Sequence, residues 1–325
     1  MNWRLLLAAL PLLVGADRAA AEVASGASWL PATVSMPVRQ VGRHSYYVQG
    51  RLEEATRANQ GFNSNAGFVI TNAGVVVFDA LGSPALADRL IAEIRRRTAQ
   101  PIRLVVISHY HADHFYGIAA LRAAGAQIWA DGRARAYLNS DAARRRIEER
   151  RRDIGPWLGA DFRLPLPDRW IEADEQFSVG GVRFGLVRLG PAHSPEDLAL
   201  WVEPDAVLYS GDVVYAGRVP YVGEDSDTRH WLVAIDRVLA LEPRVLVPGH
   251  GPATRVPRRD AQLTRQYLEF LRTQMAAAVR DFRPFDEAYA AVDWRRFSAA
   301  PTFNVANRGN AYAVYLQMEQ EALAR

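Results

Sequence analysis

The chain of 325 residues is 49% hydrophobic and carries a formal net charge of +3 at pH 7. That hydrophobic content is ample for a large core, and the mildly basic charge falls well short of the footprint of a nucleic-acid-binding protein. The sequence has no cysteine, which excludes disulfides and thiolate metal ligands. It also has no lysine, so all 39 basic residues are arginine and Schiff-base chemistry is excluded.

Residues 1–21 have the pattern of a secretory signal. Arg4 precedes the apolar run Leu5–Val14, and the small residues Ala19–Ala21 form a cleavage site before Glu22. The apolar run is shorter than the roughly 20 residues that cross a bilayer. The sequence therefore predicts a periplasmic or secreted protein with no stable membrane span, and an uncleaved membrane anchor is the alternative.

The elements that follow alternate between strand and helix patterns. The predicted strands lie at His44–Val48, Ala66–Thr71, Val75–Phe78, Ile102–Ser108, Gln127–Ala130, Gln176–Val179, Val182–Leu189, Leu198–Val202, Ala206–Tyr209 and Arg244–Val247. The predicted helices lie at Ala85–Arg97, Tyr116–Ala124, Arg133–Asp153, Arg229–Leu239 and Arg259–Asp281, and Leu164–Trp170 is predicted to be a loop. A β-rich half, a βα half and outer helices are typical of a layered α/β sandwich.

Directly after the strand Ile102–Ser108, three of the seven histidines fall within six residues, together with one aspartate. In an extended segment residues i and i+2 point the same way, so His109 and His111 can bind one metal ion. Asp113 and His114 are then free to face a second ion. Imidazole and carboxylate groups are ligands that zinc accepts. Scattered surface histidines explain so dense a cluster poorly, and we predict a metal site.

Four further candidates share one feature, because each lies where a predicted strand gives way to a loop. They are Asp79, His193, Asp212 and His250. Strand ends are where rigid scaffolds place chemical groups. Ordinary loop histidines, and a common Gly-Asp turn at Asp212, are the alternatives.

The order of these residues resembles the five-motif signature of the metallo-β-lactamase superfamily over about residues 40–255. The resemblance implies an α/β fold, the four-layer αββα metallo-β-lactamase sandwich, with the metals at one edge between the sheets and extra C-terminal helices. The domain organisation expected from it is a signal peptide at 1–21, a metallo-β-lactamase-like domain at 22–255 and a C-terminal helical extension at 256–325 packed on the same domain.

The resemblance also implies two Zn²⁺ ions per chain, with iron and manganese as alternative metals. The ligands that it implies are His109, His111 and His193 for the first ion, and Asp113, His114 and His250 for the second. Asp212 would bridge the two ions. Asp79 would orient the motif loop through hydrogen bonds rather than bind metal.

Two metal ions that share a hydroxide suit hydrolysis, because they lower the pKa of water towards roughly 7 and polarise the scissile bond. We therefore expect a hydrolase that attacks an ester, thioester, lactone or amide-type bond of a small molecule, with Asp113 as both a ligand and the catalytic group that orients or accepts the proton. Candidate substrate contacts are Asn65, Tyr116 and Tyr215. The expected pocket walls are Gly61–Ala66, Trp157–Phe162 and Val213–Gly223.

Differences in the ligand residues between members of the superfamily indicate which of them this sequence resembles. Asp212 stands where cysteine-ligated β-lactamases have a thiolate, so those enzymes are excluded. A carboxylate at this position resembles glyoxalase II, lactonases and phosphodiesterases instead. His111 stands where the flavodiiron pattern has glutamate, which favours zinc over di-iron. The export signal, the motifs around Asp212 and His250, and a helical tail are similar to the exported quinoprotein relay system zinc metallohydrolases; the tail residues are Asn304, Asn307 and Asn310.

Four alternative functions remain at this point: a β-lactam-hydrolysing enzyme on the same site, a non-haem iron sulfur dioxygenase, a nucleic-acid-processing enzyme on the same fold, and a non-enzymatic metal-binding protein. The seven-ligand set argues against the dioxygenase, which uses fewer ligands. It also argues against a structural site, because those are usually closed and mononuclear. The export signal and the absence of lysine both argue against nucleic acid as a partner.

The remaining polar features receive structural interpretations. His44 and His230 are expected to be structural or solvent-facing. The run Arg144–Arg152 contains six arginines and two glutamates with helical composition, and it is expected to form a solvated helix face.

Overall fold

The computed structural model describes residues 28–324. The predicted secretory signal and its cleavage site before Glu22 lie outside the described residues. The strands are β1 Val38–Gln40, β2 Ser45–Val48, β3 Ala66–Thr71, β4 Gly74–Phe78, β5 Ile102–Val106, β6 Gln127–Asp131, β7 Arg169–Ile171, β8 Glu175–Val179, β9 Val182–Arg188, β10 Leu198–Val202, β11 Val207–Tyr209 and β12 Val245–Val247. The α-helices are α1 Pro84–Arg95, α2 Ala112–Phe115, α3 Ile118–Ala123, α4 Ala134–Leu138, α5 Asp141–Leu158, α6 Thr228–Ala240, α7 Pro257–Arg280, α8 Phe285–Ala291 and α9 Phe303–Leu323.

The strands form two mixed sheets. The first has the order β1-β2-β3-β4-β5-β6-β7, antiparallel as far as β4 and parallel from β4 to β7. The second has the order β12-β11-β10-β9-β8, antiparallel except for the parallel pair β11 and β12. Parallel neighbours bring their carboxyl ends to the same edge of a sheet, and this is where the candidate residues lie.

Three apolar clusters hold the layers together. Between the sheets, Phe78 and Leu104 of the first sheet belong to one buried cluster with Phe184 and Leu200 of the second. Helices α1 and α3 cover the outer face of the first sheet, and α6, α7 and α9 cover that of the second. The predicted four-layer α/β sandwich with extra C-terminal helices is confirmed. Within residues 28–324, no helix combines the length and apolar character needed to cross a membrane.

Three predicted boundaries were wrong for local reasons. The helix predicted at Arg133–Asp153 is two helices, because the Ser140 side chain accepts a hydrogen bond from the Ala143 amide and starts α5 anew. The helix predicted at Tyr116–Ala124 begins inside the histidine motif as α2 and resumes after Gly117 as α3. The loop predicted at Leu164–Trp170 ends earlier, since its last two residues belong to β7.

One buried side-chain amide on helix α9, that of Asn310, connects this helix to a loop beside the site. Asn310 Oδ1 accepts a hydrogen bond from the Val222 amide at 2.8 Å, and its Nδ2 donates to the Pro220 carbonyl at 2.7 Å and to the Tyr267 hydroxyl at 2.9 Å. The loop that contains Pro220 and Val222 also contains Tyr221, whose carbonyl contacts a candidate metal ligand (below). The C-terminal helices therefore hold the loop that follows β11.

We expect Asn310→Ala to lower the free energy of unfolding by about 2 kcal/mol or more, because it leaves buried donors and acceptors unpaired at about 1–3 kcal/mol each. Urea unfolding of metal-free protein measures the change. Asn304→Ala is the matched control, since Asn304 is exposed on the same helix and the gain in helix propensity is common to both variants. Equal stability of the two variants would contradict the prediction.

Candidate metal centre

The carboxyl ends of the parallel strands β4 and β5 lie side by side and form the first part of the site. Asp79 directly follows β4 and is fully buried. It accepts hydrogen bonds from the Ser108 amide at 2.7 Å, the Ser108 hydroxyl at 2.9 Å and His114 Nδ1 at 2.8 Å. The Ser108 hydroxyl also contacts His109 Nδ1 at 2.8 Å. One carboxylate thus fixes the end of β5 and, through it, two imidazole rings.

Two further imidazoles are oriented by backbone carbonyls. His193 Nδ1 donates to the Tyr221 carbonyl at 3.0 Å, and His250 Nδ1 donates to the Asn63 carbonyl at 2.7 Å. A carbonyl can only accept, so Nδ1 holds the ring proton in both residues and Nε2 keeps its lone pair. Both Nε2 atoms point into the cluster formed by the motif residues.

The inward-facing nitrogen and oxygen atoms form three overlapping groups in which the atoms lie within 4.8 Å of one another. The groups are His109, His111 and His193; His109, His114 and Asp212; and Asp113, His114 and His250. In the first, His111 Nδ1 is 2.8 Å from His193 Nε2, and in the third, His114 Nε2 is 3.4 Å from His250 Nε2. Two donors on one tetrahedral zinc ion lie roughly 3.3 Å apart, given bonds of about 2.0–2.1 Å. The structure brings all seven predicted ligand residues together.

Asp212 lies between the other candidate ligands. Its Oδ2 is 3.4 Å from His193 Nε2 and 3.3 Å from His250 Nε2, and its Oδ1 is 3.3 Å from His114 Nε2. The Tyr215 hydroxyl donates a hydrogen bond to Oδ2 at 2.6 Å. The Asp212 carboxylate is therefore placed to interact with His193 of the first group and with His114 and His250 of the third.

The segment that carries His250 approaches Asp212 closely, and two residues make this approach feasible. A Cβ atom at position 249 would lie 1.9 Å from Asp212 Oδ1, so only glycine fits there. Asn65 Nδ2 donates to the carbonyls of Pro248 at 2.8 Å and Gly251 at 2.7 Å. Asn65 is one of the predicted substrate contacts, but the structure commits its amide to the backbone and does not place it in the wall of the cleft.

Two buried atoms of the cluster have no hydrogen-bond partner within residues 28–324, His109 Nε2 and Asp212 Oδ1. A buried polar group left unsatisfied costs about 1–3 kcal/mol. Both atoms carry lone pairs and face the other candidate ligands, so a cation among them would satisfy both. The imidazole and carboxylate donors present fit a divalent metal.

The protonation of three histidines favours metal binding. Burial lowers the pKa of His109 and of His111 well below the usual value for histidine, and it lowers the pKa of His193 to about 4. These rings are neutral near pH 7, so their inward nitrogens are available as ligands without loss of a proton.

The carboxylates create a different environment for His114. Burial alone would lower its pKa, but Asp212, Asp79 and Asp113 around it raise the pKa to about 10. Burial also works against ionisation of Asp212, yet the surrounding histidines hold its pKa well below the usual value. The cluster therefore has negative carboxylates at its centre, and a metal that binds His114 must displace its proton.

The cluster forms part of the wall of a cleft of about 460 Å³. Of the other two predicted substrate contacts, Tyr215 lines the cleft and Tyr116 does not, because the Tyr116 ring is fully buried and lies tilted against Phe162, with 5.0 Å between ring centroids. The predicted wall Trp157–Phe162 is also wrong, since none of its residues lines the cleft. The other two predicted walls each contribute, through Asn63, Tyr215, Arg218, Tyr221 and Gly223.

Asn63 and Arg218 lie in predicted wall segments, but nothing in the sequence indicated their individual partners. Asn63 Nδ2 donates to Asp113 Oδ2 at 3.0 Å, and Arg218 Nη2 pairs with Glu54 at 3.0 Å. The solvated face expected at Arg144–Arg152 is present at Arg144, Arg145 and Arg146, which are exposed, but Arg150 is largely buried and part of α5 lines the cleft. Helical spacing could have divided the arginines between two faces, but only the packing of α5 shows which face meets the site.

The two histidines with structural interpretations lie outside the cluster. His230 is largely exposed and contacts Asp227 at the start of α6. His44 Nδ1 contacts the Ile70 carbonyl at 3.2 Å. Neither belongs to the three candidate ligand groups.

Comparison with known proteins agrees with this geometry. The model of the metallo-beta-lactamase superfamily matches residues 59–250. A metallo-beta-lactamase type 2 from Bacteroides fragilis is 23% identical over 212 residues, which cover 63% of this chain and 77% of the relative.

Solved structures show the same fold. A metallo-beta-lactamase from Pontibacter korlensis superimposes with a TM-score of 0.59 at 19% identity, covering 72% of this chain and 99% of that one. The sec-alkylsulfatase Pisa1 from Pseudomonas sp. superimposes with a TM-score of 0.65 at 19% identity, covering 87% of this chain and 50% of that one. With the family match over more than half of its length, the chain belongs to the metallo-beta-lactamase superfamily, a superfamily of metal-dependent hydrolases.

Proposed function

We propose that this protein is a hydrolase with two zinc ions that cleaves an ester, thioester, lactone or amide-type bond of a small molecule. One observation carries the proposal: seven candidate ligand side chains converge at the wall of an open cleft, and two of their buried atoms lack any partner among the described residues. A closed structural site would have neither the open cleft nor so many ligands.

The proposed ligand assignment follows the geometry of the three groups. His109, His111 and His193 would hold one ion, and Asp113, His114 and His250 the other. Asp212 would bridge them, because its two oxygens face nitrogens from both sets.

When bound, zinc ions at this site would make water a nucleophile near neutral pH and polarise the scissile bond. The protein's own residues supply orientation. Asp113 directs Oδ2 towards Asn63 and His250, and its Oδ1 lies on the side of Arg150. We propose that Asp113 orients the water and accepts its proton. The Tyr215 hydroxyl is committed to Asp212, and burial raises its pKa well above the usual value, so Tyr215 positions this carboxylate and does not act as an acid.

Export completes the proposal. The signal pattern at residues 1–21 supports a periplasmic or secreted protein. Mass spectrometry of protein recovered from the periplasm is expected to find a mature chain that begins at or near Glu22, and an intact Met1 on a cytoplasmic product would reject export.

A hydrolysis screen with matched metal-free and zinc-loaded protein tests the function. The panel contains a β-lactam, a lactone, a thioester and a phosphodiester, with an alkyl sulfate ester added because a structural relative is named an alkylsulfatase. We expect zinc-dependent turnover of at least one class, and loss of that turnover in His111→Ala. His230→Ala is the control, because it removes an exposed histidine outside the cluster.

Metal analysis separates the alternatives. Two zinc ions per chain with no turnover in the whole panel would contradict the hydrolase. A single tightly bound iron would favour the dioxygenase instead.

A further inference from the structure

One face of helix α5 lines the cleft beside the candidate metal centre. The cleft-lining residues of this helix are Ala142, Arg145, Arg146, Glu149 and Arg150. They follow the spacing i, i+3, i+4, i+7 and i+8, which places them on one side of an α-helix. The arginine at 144 pairs with Asp141, and its side chain is 70% exposed. The helix thus directs three of its arginines towards the site.

Arg150 differs from the other two arginines in its burial. Its side chain is only 14% exposed, and within residues 28–324 the one carboxylate within 4.0 Å of it is Asp113, with Arg150 Nη2 at 3.9 Å from Asp113 Oδ1. That distance is too long for a hydrogen bond. Asp113 Oδ2 is already occupied by Asn63. The Arg150 nitrogens are not among the buried atoms without a partner within residues 28–324, so they open to the cleft and are available to an anion.

Two of the other carboxylates of the cleft are ion-paired, whereas Glu224 and Asp225 have no cation within 4.0 Å among the described residues. Glu149 accepts from Arg146 at 2.9 Å, and Glu54 accepts from Arg218 at 3.0 Å. Asp225 accepts a hydrogen bond from the Tyr110 hydroxyl at 2.9 Å. Glu224 also lines the cleft, on the loop after Tyr221. Within 4.0 Å of Arg150 the described residues place one carboxylate, Asp113, and the proposed zinc ions would offset its charge.

We propose that the arginine face of α5, with Arg150 at its inner end, binds an oxyanion group that the substrate carries beside the scissile bond. The proposal rests on the proposed hydrolase function and adds the substrate class, an anionic ester, thioester, lactone or amide. A guanidinium presents two parallel donors that match a carboxylate, sulfonate or phosphate. The Arg150 group lies next to Asp113, so the bound anion would fix the substrate's reactive carbon near the candidate metal ligands.

The test compares three rigid esters on zinc-loaded protein: the 4-nitrophenyl esters of 4-carboxybenzoic, 4-sulfobenzoic and 4-isopropylbenzoic acid. The carboxylate and the isopropyl group are similar in size, and each kcat/KM is divided by the rate constant of the ester's own alkaline hydrolysis, so that the comparison isolates recognition of the charge. The para position keeps the carboxylate from attacking its own ester. We measure the ratio of kcat/KM for each anionic ester to that for the neutral ester, which does not depend on the fraction of active protein.

We expect at least one anionic ester to be preferred by tenfold or more, and this preference to fall about 10–100-fold in Arg150→Met, as is typical for loss of a charge-assisted hydrogen bond. Arg150→Lys should retain part of the preference, because it keeps the charge but not the planar fork. Arg144→Met is the matched control and should keep the full preference. Whichever anionic ester is preferred distinguishes carboxylate from sulfonate recognition.

Two results would overturn the proposal: no charge preference in the unsubstituted protein, or an equal loss on all three esters in Arg150→Met, which would make Arg150 only a support for Asp113. A binding measurement keeps the test independent of catalysis. Calorimetric titration compares 4-carboxybenzamide with 4-isopropylbenzamide. If no ester is hydrolysed but the carboxylate is bound selectively and Arg150→Met abolishes this, the anion site stands and the hydrolase proposal fails.

Discussion

Asp212→Asn is expected to lose one of two zinc ions and nearly all hydrolytic activity. The substitution keeps the shape of the side chain but removes the negative charge that lies between the Nε2 atoms of His114, His193 and His250. Two dications at close range repel each other, and this carboxylate offsets that repulsion. The loss of activity should exceed the 10–100-fold that is typical of residues that only support a ligand.

Zinc titration against a competing chelator measures the effect. The ion assigned to Asp113, His114 and His250 should weaken first, and the ion assigned to the three other histidines should persist. Asp286→Asn is the control, since that aspartate is exposed on α8. Two equally tight zinc ions in Asp212→Asn would show that Asp212 is a turn residue and not a bridge.

Asp79→Asn is expected to weaken zinc binding about 10–100-fold while the fold is largely kept. Asp79 accepts from His114 Nδ1, so once a metal ion displaces the proton from Nε2, the lone pair of that nitrogen faces the cluster. The asparagine amide can donate to Nδ1 instead, and the ring proton then moves to Nε2, where it blocks a metal. Asparagine also tolerates the left-handed backbone at this position, where φ is 64°.

Asp79→Ala separates orientation from stability. It leaves the Ser108 amide and the His114 ring donor without their acceptor, so the free energy of unfolding of the metal-free protein should fall by about 2 kcal/mol or more. Zinc titration and urea unfolding of both variants give the two quantities, with Asp88→Asn on α1 as the control. Zinc affinity unchanged in Asp79→Asn would contradict the role assigned to this carboxylate.

The sequence determined the parts of this protein that depend on local pattern. Apolar runs with turn signals between them predicted ten of the strands that the structure contains. The histidine motif and the four strand-end residues identified the candidate ligands, because rigid scaffolds place chemical groups at strand ends and side-chain direction alternates along an extended segment. The resemblance to a known superfamily added the pairing of these residues into two sets.

Only the tertiary structure decided which side chains surround that cluster. The partners come from segments far apart in the chain: Asn65 holds the carbonyl of Gly251, 186 residues away, and Tyr221 orients His193. A buried asparagine and a surface asparagine look alike in a sequence, and so do the two faces of an arginine-rich helix such as α5. Burial and hydrogen-bond partners are set by how the layers pack, which is why Arg150 could be placed at the cleft only after the fold was known.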